Sequence, residues 1–169
     1  IILRRMHWLD ANAISVIRLA SVSSGTMLTF DIIKDALKLP DEEVLEAIEE
    51  LVTAKFLKES ENDEIYEFEN PVIQEVVYSE LNHSRRRFLH NKMAAVLESR
   101  FNENPVHWGN IGIHFYKGKE YEKALYYLIK ASSYFQRISP LKALEHLHMV
   151  LFCIEKLPQS DSVKEQNLE

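Results

Sequence analysis

The sequence is poor in cysteine, glycine and proline, and it lacks long hydrophobic runs. Its single cysteine, Cys153, excludes a disulfide framework and a multi-cysteine metal site within the chain. Four glycines and five prolines among 169 residues predict short loops and a high helix content. No apolar run reaches the roughly 18 residues that a membrane-spanning helix needs. We therefore expect no membrane contact and a reducing, cytoplasmic location.

Motifs for catalysis and for small-ligand binding are missing as well. The chain contains neither a G-x4-G-K-[ST] phosphate-binding loop nor an HExxH metal motif. Two pairs of histidines are separated by seven residues, His83 with His90 and His107 with His114. Seven residues of helix separate side chains by about 10 Å, too far for the members of one pair to share a metal ion. We expect no metal, no cofactor and no catalytic residue, and a Cys153 that lies in the core.

The sequence contains many apolar residues, and its charged residues are distributed very unevenly along the chain. Hydrophobic residues make up 46% of the chain, which excludes intrinsic disorder. Residues 1–40 carry 5 Lys and Arg against 3 Asp and Glu, residues 41–80 carry 2 against 14, and residues 81–169 carry 13 against 9. The middle segment therefore has a net charge of −12 in a chain whose total is −6. A block this acidic restricts the partners that it can bind.

The first 70 residues show three helical patterns followed by a hairpin pattern. Asp10, Thr29 and Asp41 are predicted as helix N-caps, and residues 44–56 form an apolar stripe at helical spacing. Residues 56–60 and 65–69 alternate and flank a polar turn at 61–64, which is typical of a β-hairpin. Three helices and a hairpin predict a winged helix-turn-helix domain over residues 1–70.

The remainder of the chain is predicted to be entirely helical. Asn70 and Pro71 provide a cap and a first-turn proline, and residues 71–104 form a connecting helical pair. Residues 105–157 contain helices of a tetratricopeptide type, and residues 158–169 form a polar tail. The last helix carries an apolar seam suited to a partner helix, formed by Leu144, Leu147, Leu151 and Ile154. The fold class is therefore mainly α.

The tetratricopeptide prediction depends on one repeat in good register. The W-x2-L-G-x2-Y and A-x3-F-x2-A spacings of that repeat are filled here by Trp108, Ile111, Gly112, Phe115, Ala124, Leu128 and Ala131. The small residues allow two helices to approach closely, and the aromatic residues fill the space around them. A weaker echo follows 19 residues later, at Ala143, Leu147 and Val150.

Nearly the whole chain resembles a segment of large bacterial signal-transduction ATPases of the STAND class, which include ATP-dependent transcription activators. The resemblance rests on the stretches RLASV (18–22), LEAIEELV (45–52), YEF (66–68), PVIQEVVY (71–78), RRRFLH (85–90) and the repeat. In that class a P-loop domain precedes a winged helix and a helical-repeat array. One departure is that Asn70 and Pro71 stand where the family usually has His-Asp.

The acidic block bears on whether such a winged helix could read DNA. The helix at the recognition position carries Asp41, Glu42, Glu43, Glu46, Glu49 and Glu50 without a single Lys or Arg. Since Lys and Arg contacts to phosphates dominate DNA affinity, this helix should repel DNA. The alternatives are a surface that docks on protein, such as the nucleotide-binding domain that the resemblance implies, and a merely solvated acidic face.

A basic run provides the opposite charge. Arg85, Arg86 and Arg87, with Lys92, could pair with the acidic face within the chain, dock a partner or touch nucleic acid, or they could form a solvated helix face. We expect a non-catalytic, protein-binding segment of a larger signalling ATPase or transcriptional regulator, cut from a longer protein. The alternative is a DNA-binding winged-helix transcription regulator.

Overall fold

The computed structural model describes residues 1–23, 27–60 and 64–158. Within these ranges the chain is mainly helical and has one small two-stranded antiparallel sheet, which confirms the coarse prediction from the sequence. The helices of the described ranges are α1 (Ile2–Met6), α2 (Ala11–Val22), α3 (Phe30–Leu37), α4 (Asp41–Thr53), α5 (Pro71–Glu80), α6 (His83–Phe101), α7 (Pro105–Lys117), α8 (Tyr121–Phe135) and α9 (Pro140–Lys156).

The sheet consists of β1 (Leu57–Glu59) and β2 (Tyr66–Phe68), which follow α4. The paired residues are Leu57 with Phe68, Lys58 with Glu67 and Glu59 with Tyr66. An isolated bridge between Thr29 and Ile65 ties the chain before α3 to this sheet. Most of the turn predicted between the strands, residues 61–63, lies outside the described residues, as do residues 159–169 of the predicted polar tail.

Helix α2 lies at the centre of the first half because it is apolar on several sides. It packs against α3, α4, α5 and α6, and its buried side chains include those of Val16, Ile17 and Leu19. Helices α5 and α6 therefore do more than connect the two halves, since α5 packs on α2 and α6 packs on α2 and α3. The 19-residue α6 also packs against α7, and α7, α8 and α9 follow as consecutive packed helices.

Two of the four predicted helix caps are confirmed. The side chain of Thr29 accepts a hydrogen bond from the amide of Ile32, and Asn70 accepts one from the amide of Val72. Asp41 is not a cap, since α4 begins at Asp41 itself and its negative charge lies in the first turn.

At the start of α2, Asp10 occupies the N-cap position, but its side chain makes no capping hydrogen bond. The backbone amide of Asp10 instead donates to the Glu50 carboxylate, 3.1 Å from Oε1. A carboxylate from another helix therefore meets the N-terminus of α2, a solution that local sequence cannot reveal.

Candidate interaction surfaces

The outward side of α4 carries a continuous row of acidic side chains. Val44, Ile48 and Leu51 are buried against the core, so the helical period turns the charged residues to solvent. We call the exposed acidic residues the acidic surface; they are Asp41, Glu42, Glu43, Glu46 and Glu49. Leu45, which the apolar stripe predicted to be inside, is 42% exposed and lies on this side of the helix.

The acidic residues of α4 differ in what they contact. Glu43 accepts a hydrogen bond from the side-chain amide of Asn12 at 2.9 Å, and Glu50 is half-buried and holds the amide of Asp10. Asp41 forms an ion pair with Lys34 at 2.6 Å, which raises the pKa of the Lys34 ammonium through their hydrogen bond. Glu42, Glu46 and Glu49 carry the exposed charge that is left for a partner.

The three arginines of the basic run have different roles in the structure. Arg86 donates to the carbonyls of Tyr78 and Ser79 at the end of α5, and its guanidinium lies 4.5 Å from the centre of the Tyr78 ring. Arg87 donates to the carbonyl of Gly118, just after α7, at 3.1 Å. Arg85 is exposed, and its guanidinium lies 5.9 Å from the ring of Phe88.

Arg86 and Arg87 thus bind helix C-termini, where backbone carbonyls are left without helical partners. Within residues 1–23, 27–60 and 64–158, no ion pair links Arg85, Arg86 or Arg87 to the acidic surface. The interpretation that the basic run clamps the acidic face inside the chain is not supported, and Arg85 is the member that is directed to solvent beside an exposed aromatic ring.

A buried histidine pair joins α6 to α7, and sequence spacing did not reveal it. The Nδ1 atoms of His90 and His114 lie 3.0 Å apart, and the Tyr78 hydroxyl lies 3.4 Å from Nε2 of His90. Burial, with Lys117 and Arg86 nearby, lowers the pKa of His90 to about 4, and burial together with His90 and Lys117 lowers that of His114 to about 3.

Both imidazoles are therefore neutral at pH 7, and one Nδ1–H donates to the other Nδ1. The signal that could have found them is helical spacing: His90 recurs with buried Met93 and Leu97, and His114 neighbours buried Phe115. The seven-residue spacings seen in the sequence, His83 with His90 and His107 with His114, do not relate the two rings that meet in the structure.

The residues of the predicted repeat lie where α7 and α8 approach each other. Ile111, Phe115, Ala124, Leu128 and Ala131 are all buried. Trp108 is half-buried, donates from Nε1 to the carbonyl of Asn102 at 2.7 Å and lies under the ammonium of Lys130. Gly112 faces Leu128, and a Cβ at position 112 would lie 2.8 Å from Leu128 Cγ and 3.1 Å from its backbone nitrogen.

Replacing Gly112 by alanine should destabilise the protein by about 1–3 kcal/mol, since the added methyl overpacks against the backbone of α8. The better helix propensity of alanine offsets at most about 1 kcal/mol. Gly109→Ala is the matched control, because the nearest atoms to its Cβ belong to the side chains of His146 and Ala131 and not to a backbone. Urea unfolding measures both, and a Gly112→Ala protein as stable as the Gly109→Ala protein would contradict the close approach.

Helix α9 leaves an apolar row uncovered in the described part of the chain. The exposed side chains are Leu141, Leu144, Leu147, Leu151 and Ile154. On the opposite side, Cys153 is fully buried, and burial raises the pKa of its thiol. The predicted seam is thus on the surface, and the predicted core cysteine is in the core.

The described ranges contain no cluster of three or more side chains that could ligate a metal ion. None of their helices combines the length and the hydropathy of a membrane span. Comparison of the chain with protein-family models, with curated proteins and with solved structures finds no match.

Proposed function

We propose that this chain is a non-catalytic protein-interaction segment of a signalling ATPase or transcriptional regulator. In this proposal the first half is a winged helix, α7 and α8 are a tetratricopeptide-like hairpin, and the chain links a nucleotide-binding switch to a helical-repeat sensor arm. The acidic surface of α4 docks on a protein, in the first place the nucleotide-binding domain of the same polypeptide. The observation that carries the proposal is the charge of α4, whose exposed residues include Glu42, Glu46 and Glu49 without a basic neighbour on that helix.

The rival function, DNA binding through the winged helix, requires cations where α4 has none. A protein that contacts several phosphates needs one Lys or Arg for each of them. In the structure Lys58 of β1 faces Glu67 at 3.9 Å, and the side chain of Arg5 turns inward to donate to the carbonyl of Ala54 at the end of α4. The charge of this side of the molecule favours a basic protein surface as the partner.

The apolar row of α9 supports a repeat-like role for the second half. A single helical repeat cannot bury its own faces, so neighbouring helices or a partner normally complete it. The exposed leucines recur about once per helical turn, and such a row is the kind of surface that a following helix covers.

The proposal is tested by measuring binding between this chain and the nucleotide-binding domain of the polypeptide that carries it, by calorimetry. The triple variant Glu42→Lys, Glu46→Lys and Glu49→Lys should weaken binding at least tenfold. These residues are chosen because they form no hydrogen bond or ion pair with their side chains within the described residues, whereas Glu50 holds the start of α2. The control reverses the same number of exposed charges elsewhere, at Glu103, Glu122 and Glu155.

Equal binding by the triple variant and its control would exclude α4 as the docking surface. If the polypeptide that carries this chain has no nucleotide-binding domain, the proposed link to a nucleotide-binding switch is excluded. Fluorescence anisotropy with a random 30-base-pair duplex distinguishes the rival function: we expect no binding, and tight binding that weakens steeply with salt would establish a DNA-binding role instead.

A further inference from the structure

Phe88 of α6 is an aromatic side chain that the fold leaves 50% exposed between two depressions. The first has a volume of about 210 Å³ and lies between α2, the end of α3 and α6. The second, of about 670 Å³, lies on the other side of Phe88 and Lys92, along α3 and α6. We call their shared region the Phe88 groove; its defining residues are Arg18, Leu37, Lys38, Arg85, Phe88 and Lys92.

The smaller depression of the groove combines apolar and charged side chains around an aromatic ring. Leu37 and Leu39 from the end of α3 line the smaller depression together with Phe88 and the buried Leu89. The depression of about 210 Å³ is open to solvent and can receive one side chain of a partner. An exposed aromatic ring beside such a depression offers apolar area that a partner can bury.

Four cations accompany these apolar side chains in the groove. Arg18, Lys38, Arg85 and Lys92 line the two depressions, and none of them forms an ion pair with another residue of the described ranges. The nearest carboxylate in the lining, that of Asp35, is already paired with Arg100 at 2.5 Å. The groove therefore keeps a positive charge that a partner can neutralise.

One of these cations, Lys92, is held in place by the fold. The ammonium of Lys92 donates to the carbonyl of Ala36 at 2.9 Å and lies 5.2 Å from the centre of the Phe88 ring. Lys38 ends α3 in the left-handed conformation, with φ of 56°, and its side chain is exposed. A side chain held like that of Lys92 reduces the entropy that a ligand must remove on binding.

We propose that the Phe88 groove binds an acidic peptide segment that carries one large apolar side chain. The apolar side chain enters the smaller depression against Phe88, Leu37 and Leu39, while neighbouring carboxylates meet Arg18, Arg85 and Lys92. Clusters of Arg and Lys are a common means of recognising acidic motifs. This site differs in place and in sign of charge from the acidic surface, and it does not depend on the function proposed above.

Nucleic acid also combines negative charge with flat rings, but the surroundings favour a peptide. A strand that extended from the groove past Pro40 would meet the acidic surface, where Glu42 and Glu46 form no ion pair with the described residues. Its phosphates carry one charge per nucleotide, so repulsion accumulates with length. A short peptide places only two or three charges at the cations and can end before the acidic surface begins.

Binding is tested by fluorescence anisotropy on the full chain, with a fluorescein-labelled 12-residue peptide of Glu and Asp around one central Leu. We expect saturable binding that weakens as salt is raised. A peptide of the same charge with Gly in place of Leu should bind at least fivefold more weakly. A 12-nucleotide single strand should bind more weakly than the Leu peptide; tighter binding of the strand, or no binding of the peptide, would overturn the proposal.

Variants locate the site. Phe88→Ala, and separately Arg18→Glu with Arg85→Glu, should each weaken peptide binding at least tenfold, and because these side chains are exposed the variants should retain the thermal transition of the parent. Arg4→Glu with Arg137→Glu makes the same charge change at exposed positions away from the groove and should leave binding within twofold. An equal loss of peptide affinity in both charge variants would show that binding depends only on net charge, and it would overturn the assignment of the site to the groove.

A second copy of the chain could also bring carboxylates to the groove. Sedimentation equilibrium of the unmodified chain should show a monomer. A dimer that disappears with Arg18→Glu and Arg85→Glu would assign the groove to the acidic surface of another copy and would overturn the peptide proposal.

Discussion

Lowering the pH from 7 to 4 should destabilise the protein by about 3 kcal/mol or more through the buried pair His90 and His114. Both pKa values lie below the ordinary 6.5, at about 4 and about 3. Between these values and 6.5 the unfolded chain binds more protons than the folded protein, so stability falls as the pH is lowered through that window. Below about pH 3 this contribution no longer changes.

The geometry provides the reason for the size of the effect. The two Nδ1 atoms are 3.0 Å apart, and a hydrogen bond between them needs one donor and one acceptor. Protonating the acceptor turns it into a second donor, so two N–H groups and a buried charge then face each other, with Lys117 and Arg86 adding repulsion. Burial also lowers the pKa of His146, which adds a contribution of the same sign.

Urea unfolding at several pH values between 7 and 4 measures this loss. The variant His90→Gln with His114→Gln should show a flatter dependence on pH than the parent, while His83→Gln, at an exposed position, should not change the slope. NMR titration of the imidazole ring protons provides a check in the intact protein, where both rings should still be neutral at pH 5. Protonation of either ring near pH 6.5 would show that the pair is not sealed from water.

Replacing Phe56 by alanine should cost about 3–5 kcal/mol, which is much of the 5–15 kcal/mol that holds a typical domain folded. The Phe56 side chain has 0% exposure at the point where α4 turns into β1. Its amide donates to the carbonyl of Leu51, its carbonyl accepts from the amide of Glu69, and the guanidinium of Arg5 lies 4.6 Å from its ring centre. Removing the ring therefore leaves a cavity among elements that cannot easily collapse.

The matched control is Phe88→Ala, which deletes the same side chain where it is half exposed. We expect that variant to lose only about 1 kcal/mol, because about half of its apolar area stays exposed to water in the folded protein. Urea unfolding followed by far-UV circular dichroism compares the two proteins. Similar losses in both variants would show that Phe88 is part of the core and would remove the basis for the groove.

The charges of the first half divide within a few residues. Lys38 ends α3 beside the Phe88 groove, and Asp41 begins α4 and the acidic surface. One short segment thus separates a surface suited to acidic partners from one suited to basic partners. The charge-reversal variants of the acidic surface and of the Phe88 groove can be combined in one protein. No ion pair links the two sets of residues, so their effects on the free energy of unfolding should add.

The sequence alone determined the helices from α2 to α9 and the two strands of the hairpin, but it did not predict α1. Hydrophobic periodicity and helix capping depend on residues close together in the chain, so the sequence shows them directly. Thr29 and Asn70 cap helices as predicted, and Gly112 marks a close approach of two helices. Composition likewise established the sign of the charge on α4, because a helix with six carboxylates and no cation is acidic wherever it packs. These parts needed no knowledge of distant neighbours.

Only the tertiary structure decided what the polar side chains contact. His90 and His114 are 24 residues apart and meet because α6 packs on α7, and Glu50 reaches Asp10 because α4 packs on α2. The basic run was uniform in sequence, yet Arg86 and Arg87 bind helix ends while Arg85 joins Arg18 and Lys92 around Phe88. Hydrogen bonds and charge pairs depend on a few ångströms between elements distant in the chain, and no local pattern encodes those distances.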